Sequence, residues 1–256
     1  MIIDTHCHLD FEHFDHDRDA VIARAKEAGV SGLINIGSSL KGSEKSVELA
    51  GSHENIFASV GIHPHDAGEM TDEVFARIKG LAGSPKVVGI GEVGLDYFKS
   101  PTPREKQRDV FAQFISLSRE TGLPLIIHNR DAGEDTIEIL KKECAFPVKG
   151  VMHCFSGDKD FLKNALDIGL FISFTCNLTF KNAKNLRDTA RHVPTGRFLL
   201  ETDAPFLAPQ KYRGKRNEPA YITELRDIVA GILGISAPDV ERITTDNAKK
   251  LFGINV

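Results

Sequence analysis

Two histidines stand one residue apart near the start of the chain, in the segment MIIDTHCHLD. Ile2 and Ile3 begin a strand-like pattern, in which residues two apart point to the same side. His6 and His8 are therefore predicted to lie side by side, each with a ring nitrogen directed at a common point. This is the geometry of metal ligands, although a surface pair or two hydrogen-bonded core histidines would have the same spacing.

Further imidazole and carboxylate side chains follow apolar runs in the same way. Four histidines stand at the carboxyl ends of such runs: His63, His65, His128 and His153. Two more runs end in carboxylates, GEVGLDY with Glu92 and Asp96, and LLETDAP with Glu201 and Asp203. Imidazole and carboxylate groups bind Zn, Mn or similar divalent ions and leave positions open for water. The set therefore predicts a hydrolytic metal site.

These donors are too many for one ion. The strands on which they stand suggest two groups of ligands, one for each of two ions. His6, His8 and Asp203 are predicted to hold one ion and His128 and His153 the second, with Glu92 bridging the two. Two ions about 3.5–4 Å apart can bind a hydroxide at neutral pH and neutralise both oxygens of an in-line displacement at phosphorus. Asp203 is also placed to accept the proton of that water as general base. Glu92 and Asp203 are the predicted catalytic residues.

The elements that must position these residues alternate regularly along the chain. Eight short apolar runs are predicted strands, and they begin at Met1, Gly32, Ile56, Val87, Leu123, Lys149, Gly169 and Arg197. Helical patterns lie between them, for example from Pro103 to Gly122. The length of 256 residues matches the roughly 250 of an eight-stranded barrel. The pattern predicts one domain over residues 1–256, a single TIM-type (β/α)8 barrel with its active site at the C-terminal ends of the strands.

Composition excludes several other classes of protein. The net charge of −4 argues against a broad basic surface that coats nucleic acid or membrane. The four cysteines form no CxxC pair, so a zinc ribbon or a dense disulfide framework is not indicated and a reducing compartment fits best. No signal-like segment begins the chain, and no apolar run approaches the ~18 residues of a membrane span. We therefore expect a cytoplasmic protein.

In these motifs the sequence resembles the TatD family of metal-dependent deoxyribonucleases, within the amidohydrolase-like barrels. The resemblance runs nearly the whole length, through IIDTHCHLD, GIHPH, GEVGLDY, PLIIHNRDA, HCFSG, TFKNA, LLETDAPFLAP and YRGKRNEP. It implies the same division of ligands between two divalent ions, with Mg²⁺ or Mn²⁺ supporting activity and Zn²⁺ also compatible. It further implies hydrolysis of phosphodiester bonds in DNA. Glu92 stands where the wider superfamily often has a carboxylated lysine.

Substrate contacts are predicted for residues outside the metal set. His63 and His65 lie in GIHPH, three strands away from the metal pair, and are expected to contact substrate, with a rigid loop beside Pro64 as the alternative. Arg130 and Arg213 are candidates for fork-like contacts to phosphate oxygens, against ordinary surface salt bridges. A basic loop after the last strand favours a phosphate-bearing substrate: Lys211, Arg213, Lys215 and Arg216.

The leading prediction is a 3′–5′ exonuclease that acts on single-stranded or frayed DNA ends. The partner would be a DNA end, with RNA left open, and the sequence indicates neither a membrane nor an obligate protein partner. A metal-dependent amidohydrolase that cuts a C–N or ester bond of a small molecule is the alternative, because the same barrel and metals serve that chemistry. A non-catalytic metal-binding or partner-binding barrel is the third hypothesis, against which the complete ligand set argues.

Overall fold

Eight parallel strands form one sheet, and each strand pairs with its neighbours in chain order. The computed structural model describes residues 1–144 and 147–256. The strands are β1 Ile2–Cys7, β2 Val30–Ile36, β3 Ile56–Val60, β4 Val87–Asp96, β5 Leu125–Arg130, β6 Gly150–Met152, β7 Phe171–Phe174 and β8 Phe198–Leu200. All eight predicted strands are present, and the TIM-type barrel is confirmed.

The helices of the described residues follow the strands in alternation. They are α1 Arg18–Glu27, α2 Leu40–Ser52, α3 Asp72–Ala82, α4 Arg104–Thr121, α5 Gly133–Glu143, α6 Lys159–Asp167, α7 Lys184–Ala190, α8 Ile222–Leu233 and α9 Ala237–Phe252. Helix α4 begins after Pro103 and ends before Gly122, whose φ of 71° is the left-handed conformation that commonly ends a helix. In the part of the chain that is described, no helix is both long and apolar enough to cross a bilayer.

The first and last strands meet at the carboxyl end of the sheet. A parallel bridge joins Cys7 to Ala204, and the backbone N–H of Asp203 donates to the carbonyl of His6 at 2.8 Å. Below them the buried Asp4 carboxylate accepts from the backbone N–H and the hydroxyl of Thr202, at 2.9 and 2.5 Å. These bonds nearly close the barrel and bring the loop after β8 against the histidines of β1.

The interior of the barrel is apolar at the end opposite to this loop. Every strand contributes a buried side chain to one hydrophobic cluster: Ile3, Ile34, Phe57, Val88, Ile126, Val151, Phe171 and Leu199. Leu251 and Phe252, at the end of α9, belong to the same cluster and cover it. The apolar part of the barrel interior therefore lies at one end, and polar side chains occupy the other end.

Close approach of β4 and β5 explains a glycine of the GEVGLDY motif. Gly94 has a φ of 141°, and a Cβ there would lie 2.1 Å from the carbonyl oxygen of His128. Only a residue without a side chain fits this contact. Gly94 therefore allows Glu92 and Asp96 on β4 to reach His128 on β5.

Candidate active site

The first group of potential ligands joins the end of β1 to the loop after β8. The Nε2 atoms of His6 and His8 lie 3.2 Å apart. The Oδ1 atom of Asp203 is 3.6 Å from the first and 3.5 Å from the second. Both rings are buried, and Asp203 is only 14% exposed. The structure thus brings together the three residues that were predicted to hold one ion.

The second group lies on β4, β5 and the turn after β6. The Oε1 atom of Glu92 is 2.7 Å from Nδ1 of His128 and 2.8 Å from Nε2 of His153. Those two ring nitrogens are 3.3 Å from each other. The residues predicted to share the second ion are therefore also in contact.

Glu92 faces both groups with different oxygens. Its Oε1 atom contacts the second group, whereas Oε2 lies 3.6 Å from Nε2 of His6 and 3.8 Å from Nε2 of His8. The side chain is 5% exposed. A carboxylate in this position can be shared by two cations, as the sequence predicted, although metal binding by these residues stays a prediction.

Two more carboxylates lie behind the histidines of the second group, and the sequence did not assign them these contacts. Oδ2 of Asp96 is 3.0 Å from Nε2 of His128, and Oε1 of Glu201 is 3.4 Å from Nδ1 of His153. In metal sites such partners fix the ring orientation and raise the basicity of the ligand. The positions of Asp96 and Glu201 at strand ends could have indicated such a role. Which histidine each carboxylate contacts depends on how neighbouring strands align, and the sequence does not show that alignment.

His63 lies closer to the ligands than its predicted distance of three strands. Its Nε2 atom is 3.7 Å from Oε1 of Glu92, and its ring centroid is 4.4 Å from that of His128. The prediction was wrong on this point because β3 pairs directly with β4, which carries Glu92. His65 is placed further out, with Nε2 at 3.1 Å from Oδ2 of Asp96.

The electrostatics of the cluster favour ionised carboxylates. Burial opposes ionisation of Glu92, but the nearby charge of His153 and a hydrogen bond with His128 outweigh it and hold the Glu92 pKa well below its usual value. Burial similarly opposes ionisation of Asp203, but a hydrogen bond with His8 and the charges of the surrounding histidines together outweigh it, so the pKa of Asp203 is also lowered. Burial lowers the pKa of His63 to about 3, which keeps this imidazole neutral at pH 7.

The donor set fits divalent ions. Ring nitrogens and carboxylate oxygens form three groups among the described residues. The donor atoms of His6, His8 and Asp203 all lie within 4.8 Å of one another, and so do those of His6, His153 and Glu201. The same holds for donors of His63, Glu92 and His128. Buried carboxylates and imidazoles without cysteine match the ligand preferences of Mg²⁺, Mn²⁺ or Zn²⁺.

Most of these side chains line an open cavity of about 600 Å³, whereas the fully buried His6 is not part of its lining. Arg130 lies on its wall, exposed, with the guanidinium carbon 3.9 Å from the ring centroid of Phe98. A second cavity of about 570 Å³ adjoins the first, because Ser156 and Asn177 line both. The site is therefore recessed yet continuous with a longer surface depression.

Two basic side chains of the loop after β8 are engaged in ion pairs and so are less available to bind phosphate than the composition of the loop indicated. Arg216 is paired with Asp17 and Glu218 at 2.7 and 3.1 Å, and Lys211 with Glu224 at 2.7 Å. The expectation of a basic patch was wrong for these two residues, because acidic side chains neutralise them: Glu218 and Glu224 follow closely in the chain, and Asp17 is 199 positions away. Arg213 stacks on Phe180, with its guanidinium carbon 4.5 Å from the ring centroid. Phe180 lines the second cavity, so Arg213 lies beside that cavity and outside the lining of the first.

Comparisons with known proteins find similar sequences and a similar fold. Residues 3–253 match the family model described as TatD related DNase. A Bacillus subtilis protein named uncharacterized metal-dependent hydrolase YabD is 42% identical over 255 residues, covering 100% of both chains. A relative from Enterobacter lignolyticus, named 3′-5′ ssDNA/RNA exonuclease TatD, is 36% identical and covers 99% of each chain. The crystal structure of YJJV, a TatD homologue from Escherichia coli, superposes with a TM-score of 0.94 at 27% identity, covering 99% of this chain and 98% of that one.

Proposed function

The chain belongs to the TatD-related DNase family of metal-dependent hydrolases, and we propose that it removes nucleotides from the 3′ ends of single-stranded or frayed DNA. The observation that carries the proposal is the position of Glu92, whose two carboxylate oxygens face two separate groups of ligands. Shared carboxylates of this kind are expected in two-metal phosphodiester hydrolysis.

Two divalent ions, Mg²⁺ or Mn²⁺ in function with Zn²⁺ also compatible, would be held by the two groups. His6, His8 and Asp203 would bind the first ion, His128 and His153 the second, and Glu92 both. When bound, such ions lower the pKa of a water molecule and neutralise charge on the phosphate oxygens.

The protein's own side chains would perform the remaining tasks. Asp203 is proposed to accept the proton of the attacking water, because its carboxylate is ionised and points into the cavity beside the first group. Arg130 would bind a phosphate oxygen through its planar guanidinium, which Phe98 holds from behind. The neutral His63 and the more exposed His65 would contact the substrate at the wall opposite to Asp203.

The shape and charge of the site favour a strand end. The ligands are recessed, so a paired duplex would have to unstack its bases before a phosphodiester reached them. Among the described residues, Arg130 is the one Lys or Arg side chain that lines the ligand cavity. With Arg213 beside the adjoining cavity, this predicts a short footprint on the strand. The name of the Enterobacter lignolyticus relative, which includes both ssDNA and RNA, supports a 3′ polarity and leaves RNA as a second substrate.

The test is product analysis with the purified protein and Mn²⁺ or Mg²⁺. A 5′-labelled single strand should be shortened one nucleotide at a time, and a circular single strand of the same composition should remain intact. Efficient cutting of the circle would contradict the exonuclease proposal. Hydrolysis of a dihydroorotate-like cyclic amide, with no cleavage of DNA, would support the amidohydrolase alternative.

A further inference from the structure

One wall of the ligand cavity is aromatic and uncharged. The ring of Phe11 lies 4.7 Å from that of His8 and 5.9 Å from that of Phe206. Phe206 is 45% exposed, which is unusual for a large apolar side chain, and it lines the cavity together with Phe11 and Leu207. We call Phe11 and Phe206 the aromatic wall. It stands beside the first ligand group, because the ring of Phe11 stacks on that of His8.

The exposure of Phe206 is maintained by a rigid backbone. Its N–H donates to the carbonyl of Asp203 at 2.8 Å, and its carbonyl accepts from Nδ2 of the fully buried Asn217 at 2.7 Å. The loop is therefore anchored on both sides of the residue, while nearly half of the side chain remains exposed. A fixed, exposed aromatic ring at the edge of a polar site is a surface prepared for a flat ligand.

The two sides of the cavity differ in the chemistry they offer. Arg130 supplies a positive charge, but neither Phe11, Phe206 nor Leu207 carries any charge that could bind a phosphate. A nucleotide has an anionic phosphate and a flat base. The phosphate matches the side of the cavity with Arg130, and the base matches the side with Phe11 and Phe206. Base stacking on aromatic side chains is the usual way in which proteins hold single strands without reading sequence.

Building on the proposed function, we propose that the aromatic wall stacks the base of one of the two nucleotides joined by the scissile bond, with Phe206 as the principal contact. The site would accept any base, because every base has a π-face. It would also favour unpaired ends, since a paired base must first unpair and unstack before it can reach Phe206.

A binding experiment tests the stacking directly. The chain contains no tryptophan, so Phe206→Trp introduces a single fluorescent reporter into the wall. With Mn²⁺ present, thymidine 5′-monophosphate should quench this fluorescence, whereas 2-deoxyribose 5-phosphate, which has no base, should not. The matched control is Ile228→Trp on α8, a position 36% exposed and outside the cavity lining, where neither compound should have an effect. Equal responses to the two compounds in Phe206→Trp, or none to either, would overturn the proposal.

A kinetic experiment separates this inference from the exonuclease proposal. Phe206→Ala should raise KM for a single strand by about five- to a hundredfold, and Phe206→Tyr should restore it. For strands with an abasic site at the terminal or the penultimate position, Phe206→Ala and the unmodified protein should have the same KM. If the unmodified protein cleaves DNA and Phe206→Ala matches it on every substrate, the stacking site is wrong. If the unmodified protein cleaves no DNA while thymidine 5′-monophosphate still quenches Phe206→Trp, the proposed function fails and the base site remains.

Discussion

Replacing Glu92 by Gln should weaken both metal sites at once. The substitution keeps the size of the side chain and removes one negative charge from a position that contacts both ligand groups. A unit charge about 4 Å from another contributes on the order of 4 kcal/mol at an effective dielectric constant of 20. Because a divalent ion carries two such charges, each ion should bind at least about a thousandfold more weakly, and single-turnover cleavage should fall by at least a similar factor.

Two measurements decide this prediction. Calorimetric titration with Mn²⁺ should show loss of tight binding, and circular dichroism should show an unchanged fold. Glu138→Gln, an exposed position on α5, makes the same chemical change outside the site and should leave both metal affinity and rate unchanged. A Glu92→Gln protein that retains near-native rate, or that still binds two ions tightly, would refute the bridging role.

Three further predictions address the second ligand group, the loop after β8 and the DNA contacts. His153→Ala should remove one of two bound ions and leave the other on His6, His8 and Asp203; simultaneous loss of both ions in a metal titration would indicate one inseparable cluster. Asn217→Ala leaves the carbonyls of Thr202 and Phe206 without their buried donor, so urea denaturation should show about 3 kcal/mol of lost stability; a change under about 1 kcal/mol would mean that the loop is anchored elsewhere. With Arg130 and Arg213 as the phosphate contacts, the affinity of Asp203→Asn for a short single strand should fall with salt at a logarithmic slope of about −1.4; a slope steeper than about −4 would indicate a longer basic channel.

The fold, and the meeting of the candidate ligands at one end of it, could be predicted because both are encoded in short stretches of sequence. Apolar runs alternate with helical patterns, and parallel strands bring their carboxyl ends to one edge. His6 on β1 and Glu92 on β4 are far apart in the chain, but both stand near the carboxyl ends of their strands. They were therefore expected at the same end of the barrel. Helix α4 followed from Pro103 and Gly122, which favour the ends of helices through their own backbone preferences.

The contacts between side chains could not be predicted, because they depend on alignment across the closed barrel. The distance from His63 to Glu92 follows from the direct pairing of β3 with β4, which a count of strands does not convey. Arg216 was counted in a basic loop that favours a phosphate-bearing substrate, but it meets Asp17, which is 199 positions away in the chain. The exposure of Phe206 depends on Asn217, whose amide anchors the loop from a later segment. Such pairings exist only once the chain has closed on itself.

The most direct test of the two-metal site is an anomalous diffraction experiment on crystals grown with Mn²⁺. Two peaks should appear about 3.5–4 Å apart, one within reach of His6, His8 and Asp203 and the other between His128 and His153, with Glu92 contacting both. A single peak, or a second ion that Glu92 does not touch, would contradict the account.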